Sequence, residues 1–188
     1  MKKNYFIFTN HQKALSFLAK FSDKEFYERE VAKNIGISNG SANKVLNDLF
    51  SNGLLARKQK GKMYFYRISL TNSILTQFKI FNSIALLHPL ITELKENTRK
   101  IILYGSCAKG TETSTSDIDL FIISENRKRV LHIINRFSLG HGFEEIKIEP
   151  VVYSPLELLK SEKNDKEFLS LVYEGILLWE KAVNESGV

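Results

Sequence analysis

Apolar positions along the first seventy residues recur at helical spacing in three short blocks and then switch to alternation. After Asn10, a natural cap, Ala14, Leu15, Phe17 and Leu18 predict a helix to about Phe21. EREVAKNI predicts a second, from about Tyr27 to Asn34, stopped at Gly36. Gly36-Ile37-Ser38 makes a tight turn, and Ser38 or Asn39 can cap a third helix from about Gly40 to Asn52. That helix turns Ala42, Val45, Leu46 and Leu49 inward and leaves Asn39, Ser41, Asn43, Lys44 and Asn47 outside. Past Gly53 the period drops to two. Leu54–Lys58 and Met63–Ile68 then read as strands around the turn Lys60-Gly61-Lys62.

Residues 72–97 return to a helical pattern, with an interruption expected before Pro89. Ile74, Leu75, Phe78, Ile80, Phe81, Ile84, Leu87 and Leu90 give this segment an apolar face too broad for a bare linker. It is expected to pack between two domains or against a second copy of the chain, with His88 structural. Farther on, Lys100–Tyr104 and Leu120–Ile123 read as buried strands, Asn126–Ser138 as a helix, and Glu145–Tyr153 as an alternating strand. Phe168, Leu171, Val172, Ile176, Leu177 and Trp179 predict a closing helix over Glu167–Lys181 that covers the sheet. The fold class is therefore α+β, with a small mixed sheet flanked by helices in the second half. The boundaries are 1–71, a linking or dimerising helix 72–97, and 98–188.

Charge divides the chain the same way. Residues 1–72 hold 13 Lys and Arg against 5 Asp and Glu, whereas residues 73–188 hold 14 against 16, within a net +6. Such asymmetry points to a polyanion met by the first half. The single cysteine, Cys107, excludes an intrachain disulfide and a cysteine-cluster metal site, and the sequence assigns it no histidine partner as a nucleophile's base. His132 and His141 are expected to be structural, Glu144 and Glu145 solvated. No consecutive apolar run approaches the roughly 18 residues of a membrane span, and MKKNYFIFTN lacks a signal peptide's apolar core. A cytoplasmic protein without membrane contact is expected.

The stretch EREVAKNIGISNGSANKVLNDLFSNGLLARKQKGKMYFYRIS resembles the winged helix-turn-helix of MarR-like transcriptional regulators, over roughly residues 10–70. The resemblance implies double-stranded DNA as partner and a homodimer on two half-sites. The third helix would enter a major groove with Asn39, Ser41, Asn43 and Lys44, small polar and basic groups able to reach base edges. Arg57, Lys58, Lys60 and Lys62 on the hairpin would follow phosphates. Docking of a protein is the alternative use of such a module.

In the second half, LYGSCAKGTETSTSDIDLFII places Gly105-Ser106 at a strand end and Asp117-x-Asp119 at the head of the next strand. This arrangement resembles the minimal nucleotidyltransferases of the DNA polymerase β superfamily. The resemblance implies transfer of a nucleoside monophosphate, AMP from ATP, with Mg²⁺ (or Mn²⁺) as cofactor. Strand positions i and i+2 share a face, so Asp117 and Asp119 can hold hard cations together. Gly105 admits a phosphate, Ser106 adds donors, and Lys109 stands where the family more often has arginine. Glu149, where many relatives carry aspartate, would be the third carboxylate, as proton acceptor or metal ligand.

Two function classes follow. One is a Mg-dependent enzyme acting on a protein side chain, a nucleic-acid end or a small molecule. Short domains of this family often act as antitoxins that modify a separate toxin with a HEPN domain, and that is one acceptor the resemblance suggests. The other is a DNA-binding regulator whose second half only senses nucleotide or is inactive.

Overall fold

The computed structural model describes residues 6, 9–69, 73–140, 143 and 146–182. Helix α1 (Asn10–Lys20) is capped by Thr9 rather than Asn10. The Thr9 hydroxyl accepts from the Gln12 amide at 3.1 Å while the Gln12 side chain accepts from the Thr9 amide at 3.0 Å. A two-residue strand β1 (Phe26–Tyr27), too short to show alternation in the sequence, precedes α2 (Glu28–Ile35). Gly36, at φ +69°, ends α2, and the Ser38 hydroxyl accepts from Ser41 N–H to start α3 (Asn39–Ser51). Strands β2 (Leu55–Lys60) and β3 (Met63–Ile68) form a hairpin, and β1 adds to β3 to give an antiparallel sheet of order β1-β3-β2. Ala14, Phe17, Leu18, Val31, Val45, Leu46 and Leu49 close the core beneath it, and Ala42, the fourth α3 position expected inside, is buried too.

The next helix, α4 (Ser73–Leu94), runs through Pro89 without the expected interruption, and a 3₁₀ turn (Lys95–Asn97) follows it. An interior proline costs a helix about 3 kcal/mol. Fully burying leucines contributes roughly 1.5–3 kcal/mol apiece, and Leu87, Leu90 and Leu94, at 0% exposure, span the proline. By length and composition alone 73–97 is apolar enough to cross a bilayer, at mean hydropathy 1.3. Counting consecutive apolar residues missed this because Lys79, Asn82, Ser83 and His88 break the run. Those first three polar groups are buried inside the protein, where α4 packs on both halves of the chain.

The second half is a four-stranded sheet. Strand β4 (Lys100–Tyr104) leads through the five-residue helix α5 (Gly105–Lys109) to β5 (Ile118–Ile123). Helix α6 (Arg127–Arg136), β6 (Ile148–Tyr153), α7 (Pro155–Asn164), α8 (Lys166–Tyr173) and β7 (Ile176–Glu180) follow. The order is β6-β5-β4-β7; β5 and β6 are parallel, and the other pairs antiparallel. Ile101, Leu103, Ile118, Leu120, Ile122 and Val152 face Leu87, Leu90 and Leu94 of α4 and Val130 and Ile133 of α6. Ile102, Tyr104, Phe121 and Ile123 face Leu169 and Val172 of α8. His141, Glu144 and Glu145 lie outside the described residues.

The closing helix expected over Glu167–Lys181 is two elements. It stops at Tyr173, and Ile176–Glu180 pairs with β4. Gly175 decides the turn: a Cβ there would meet the Leu103 carbonyl at 2.4 Å and the Val172 carbonyl at 2.8 Å. The apolar residues at 176–179 satisfied a helical spacing and a buried strand equally well.

The halves meet through polar groups as well as apolar ones. Lys79, 4% exposed, sits 3.7 Å from the carboxylate of Glu112, 1% exposed. Burial pushes the Lys79 ammonium down and the Glu112 carboxyl up, each offset in part by the other's charge. Cutting one member of such a pair costs about 3–5 kcal/mol, because the other stays buried and charged. Gly175→Ala is expected to cost about 1–3 kcal/mol as an overpacked site, which lowers the Tm by several degrees. An unchanged melting curve would mean that β7 can move off β4 freely.

Candidate active site

Three neighbouring strands set the site. Cross-strand register aligns Tyr104 of β4 with Asp119 of β5, and Asp119 with Glu149 of β6. Partners in register project to the same face, here the α8 face. At the end of β4 the chain turns at Gly105, with φ +71°. A Cβ on Gly105 would lie 2.3 Å from Asp119 Oδ2. Phosphate access was the expected reason for this glycine; its missing side chain is also the space the Asp119 carboxylate occupies. Ser106, half-buried, opens α5, and its hydroxyl makes no hydrogen bond among the described residues.

Asp117 is exposed just ahead of β5, Asp119 is half-buried and Glu149 is exposed. The Asp119 carboxyl is pushed up by burial first, then by the negative charges of Asp117 and Glu149. No ion pair neutralises any of the three among the described residues. Uncompensated carboxylates at one edge suit a hard cation. Yet among the described residues no three His, Cys, Asp or Glu side chains stand close enough to hold a metal between them. The donor set therefore fits an ion held by Asp117 and Asp119 and completed by water and phosphate oxygens, the partial protein coordination Mg²⁺ prefers. Glu149 lies alongside rather than in a closed three-carboxylate cage.

Lys109 is turned to Glu174, at 3.4 Å in the turn before β7. Both are more than half exposed, and a surface pair of this kind is worth about 0–1 kcal/mol, so the ammonium is free to exchange partners. Beneath the carboxylate row, Tyr104, Phe121, Tyr153 and Phe168 form a ring cluster with centroids 5.3–6.5 Å apart, edge-to-face except for the tilted Tyr153–Phe168 pair. Burial, then Asp119, then Tyr153 push the Tyr104 phenol up. Cys107 is fully buried, and burial raises its thiol; Sγ donates to the Asp117 carbonyl at 3.5 Å, a positioning contact rather than a nucleophile's setting. Tyr104, Cys107, Lys79 and Glu112 were not singled out for this site, since their roles depend on strand register and a long-range loop contact.

On the N-terminal half, Asn39, Asn43 and Lys44 of α3 are exposed and Ser41 is half-buried beside the Ser38 hydroxyl. Asn43 donates to Glu28 at 2.6 Å. Arg57 is stacked between Phe50 and Tyr64, 4.1 and 4.4 Å from their centroids, and donates to Asn47. Lys60 is paired with Glu25 at 2.7 Å. Lys58 and Lys62 stand exposed without an ion pair among the described residues. His11 bonds Asp48, and His88 and His132 are exposed, with His88 edge-on to Phe6.

Residues 89–184 match the family described as Polymerase beta, Nucleotidyltransferase, which takes in the whole carboxylate row. The chain belongs to that family. Two relatives come from Methanocaldococcus jannaschii, each named as a candidate protein adenylyltransferase. One is 31% identical over 68 residues, 33% of this chain and 66% of its own length. The other is 33% identical over 95 residues, 46% of this chain and 75% of its own length. A solved nucleotidyltransferase candidate from Sulfolobus solfataricus, at 18% identity and TM-score 0.37, covers 60% of this chain and 90% of its own, too loose a likeness to carry weight.

The raised Asp119 carboxyl has a signed consequence for this nucleotidyltransferase. Its folded pKa lies above the unfolded value, so its contribution is fully present below about pH 4 and is lost as pH rises through the folded value. Asp119→Asn should therefore melt above the parent at pH 7 and converge with it near pH 3.5. Coincident melting curves at pH 7 would mean that neither burial nor the neighbouring charges raise the Asp119 carboxyl.

Proposed function

We propose that the second half transfers a nucleoside monophosphate, AMP from ATP, to a hydroxyl acceptor. The observation that carries this reading is the unneutralised row of Asp119 and Glu149 beside Gly105, in a chain of the nucleotidyltransferase family. The names of the two relatives favour adenylyl as the group and a protein side chain as acceptor. A HEPN-type toxin is one such acceptor.

In this mechanism Asp117 and Asp119 would hold the metal, which when bound would supply charge neutralisation for the triphosphate and acidify the attacking hydroxyl. Ser106 and Lys109 bind the phosphates, Lys109 leaving Glu174 to do so. The acceptor oxygen attacks the α-phosphorus, the bond from that phosphorus to the bridging oxygen breaks, and pyrophosphate leaves. Glu149 takes the hydroxyl proton, from the strand adjoining the metal pair.

For the N-terminal half we propose a winged helix-turn-helix on double-stranded DNA. The element order, helix, short strand, two helices and a hairpin closing a three-stranded sheet, supports that reading, as does the local excess of positive charge. Asn39, Ser41, Asn43 and Lys44 would meet base edges, and Lys58 and Lys62 phosphates. Arg57 and Lys60 would join them by giving up their present partners. Exposed Phe81 on α4 suits contact with a second copy. A second reading, a DNA-bound regulator that senses nucleotide without transferring it, is favoured by Lys109 facing Glu174 and by the open carboxylate set.

Incubating the protein with each labelled NTP, Mg²⁺ and a lysate of its source, beside Asp117→Asn/Asp119→Asn, tests the enzyme. Label moved by the parent alone, from ATP, is the expected result; no transfer by either protein leaves the sensing reading in its place. For DNA, a gel-shift series should weaken steeply with salt, and Lys58→Ala/Lys62→Ala should flatten that slope by about 2. A slope the same as the parent's would remove both lysines from the interface.

A further inference from the structure

The loop of residues 111–117 joins the Gly105-Ser106 turn to the Asp117-x-Asp119 strand, and it has no helix or strand of its own. Inside it Thr113 N–H donates to the Ser116 hydroxyl at 2.9 Å, Ser116 N–H donates to the Thr113 carbonyl at 3.1 Å, and the Thr113 hydroxyl lies 3.3 and 3.4 Å from those of Thr115 and Ser116; Thr111 N–H donates back to the Ser106 carbonyl at 3.1 Å. Most of its remaining anchors come from the other half of the chain. The Glu112 carbonyl accepts from the Ser22 hydroxyl at 3.1 Å and from Lys79 at 2.6 Å. Asp23 accepts from both the backbone N–H and the hydroxyl of Ser114, each at 2.7 Å. Lys20, 2% exposed, donates to the Ser116 carbonyl at 3.2 Å.

Packing buries Glu112 but leaves Thr111 and Thr115 of the loop exposed. A cavity of about 260 Å³ opens between Gly110, Thr111 and Thr113 on one side and Ile68, Leu75 and Thr76 on the other. Hydrogen bonds from the N-terminal half therefore help determine where the loop runs up to Ser116, and Asp117, whose carbonyl accepts from Cys107 Sγ at 3.5 Å, follows the last of them by one residue. Its carboxylate is exposed, so side-chain packing does not orient it.

We propose that the segment Lys20–Asp23, at the end of α1, positions the metal-binding aspartate of the nucleotidyltransferase site, with Asp23–Ser114 as the contact that can be cut without opening the core. The proposal rests on Asp117 being a metal ligand. Asp23, Ser114 and Lys20 are then positioning residues, which never touch the nucleotide and act through the backbone ahead of Asp117. The N-terminal half becomes a working part of the site as well as a neighbour to it.

Mn²⁺ binding to the full chain at 25 °C, followed by the loss of the free-ion electron paramagnetic resonance signal, tests this without any turnover. Asp23→Ala, at an exposed position, should bind Mn²⁺ roughly three- to tenfold more weakly than the parent, the low side of what losing a residue that orients a metal ligand costs. Ser114→Ala, which keeps the backbone N–H bond to Asp23, should weaken binding less than Asp23→Ala, and the double variant no further than Asp23→Ala, because all three act on one contact. Asp23→Asn, which keeps an acceptor for the Ser114 amide, should recover part of the affinity. Hydrogen exchange of the 111–117 amides should quicken in Asp23→Ala and not elsewhere in the sheet. Parent-like affinity in Asp23→Ala, with Asp117→Asn defective, overturns the positioning role and leaves the metal reading intact. Parent affinity no better than that of Asp117→Asn overturns the metal reading, and the proposal with it.

Discussion

The Asp119 carboxylate lies where a side chain at residue 105 would have to be, and the second half of the protein is arranged around that close approach. It requires β4 and β5 to be adjacent and in one register, and it requires the chain leaving β4 to turn with positive φ. The turn delivers Ser106 to the head of α5 and sends the chain into the loop that returns as Asp117. Parallel pairing of β6 then brings Glu149 level with Asp119. Burial first and the like charges of Asp117 and Glu149 second push the Asp119 carboxyl up, so the arrangement costs stability at neutral pH. The apolar residues on both faces of the sheet supply the stability that tolerates this.

A second constraint is polar. Two halves of a chain joined by apolar side chains alone could slide, because apolar contact has no direction. The buried Lys79–Glu112 pair, with Ser22 donating to the same Glu112 carbonyl, has direction and few alternatives. Burying charge adds little net stability, but a displaced partner leaves an uncompensated ion inside the protein. The pair thus favours one seating of α1 and α4 against the loop over all neighbouring ones.

Much of this was legible in the sequence where local chemistry determines structure. The three N-terminal helices, the β2–β3 hairpin and the inward face of α3 followed from period and caps, and β4 and β5 from apolar runs flanking the Gly-Ser and Asp-x-Asp motifs. The same motifs led to the family. Missed features are those set by distant partners. Strand β1 exists only because β3 is there to pair with it. Residues 176–179 become a strand because β4 has an open edge and Gly175 fits under its carbonyl, although their spacing also satisfies a helix. Pro89 stays inside α4 because the leucines around it are buried against the four-stranded sheet and α6. Glu112 and Lys79 sit in stretches that read as a polar loop and an amphipathic helix, and nothing in either stretch announces the other.

The place of β7 has a consequence for how the protein is made. The nearest pairings of the N-terminal sheet close within a hairpin, but β4 pairs residue 102 with residue 177, and every strand between them is completed first. During synthesis the N-terminal half can therefore reach its fold on the ribosome while β4 still shows one bare edge. Closing a loop of that length is slow, and an unpaired apolar strand invites foreign strands while it waits. The nascent chain thus passes through an interval in which its first half is finished and its second is vulnerable, and the interval ends only when Ile176–Glu180 emerges and docks.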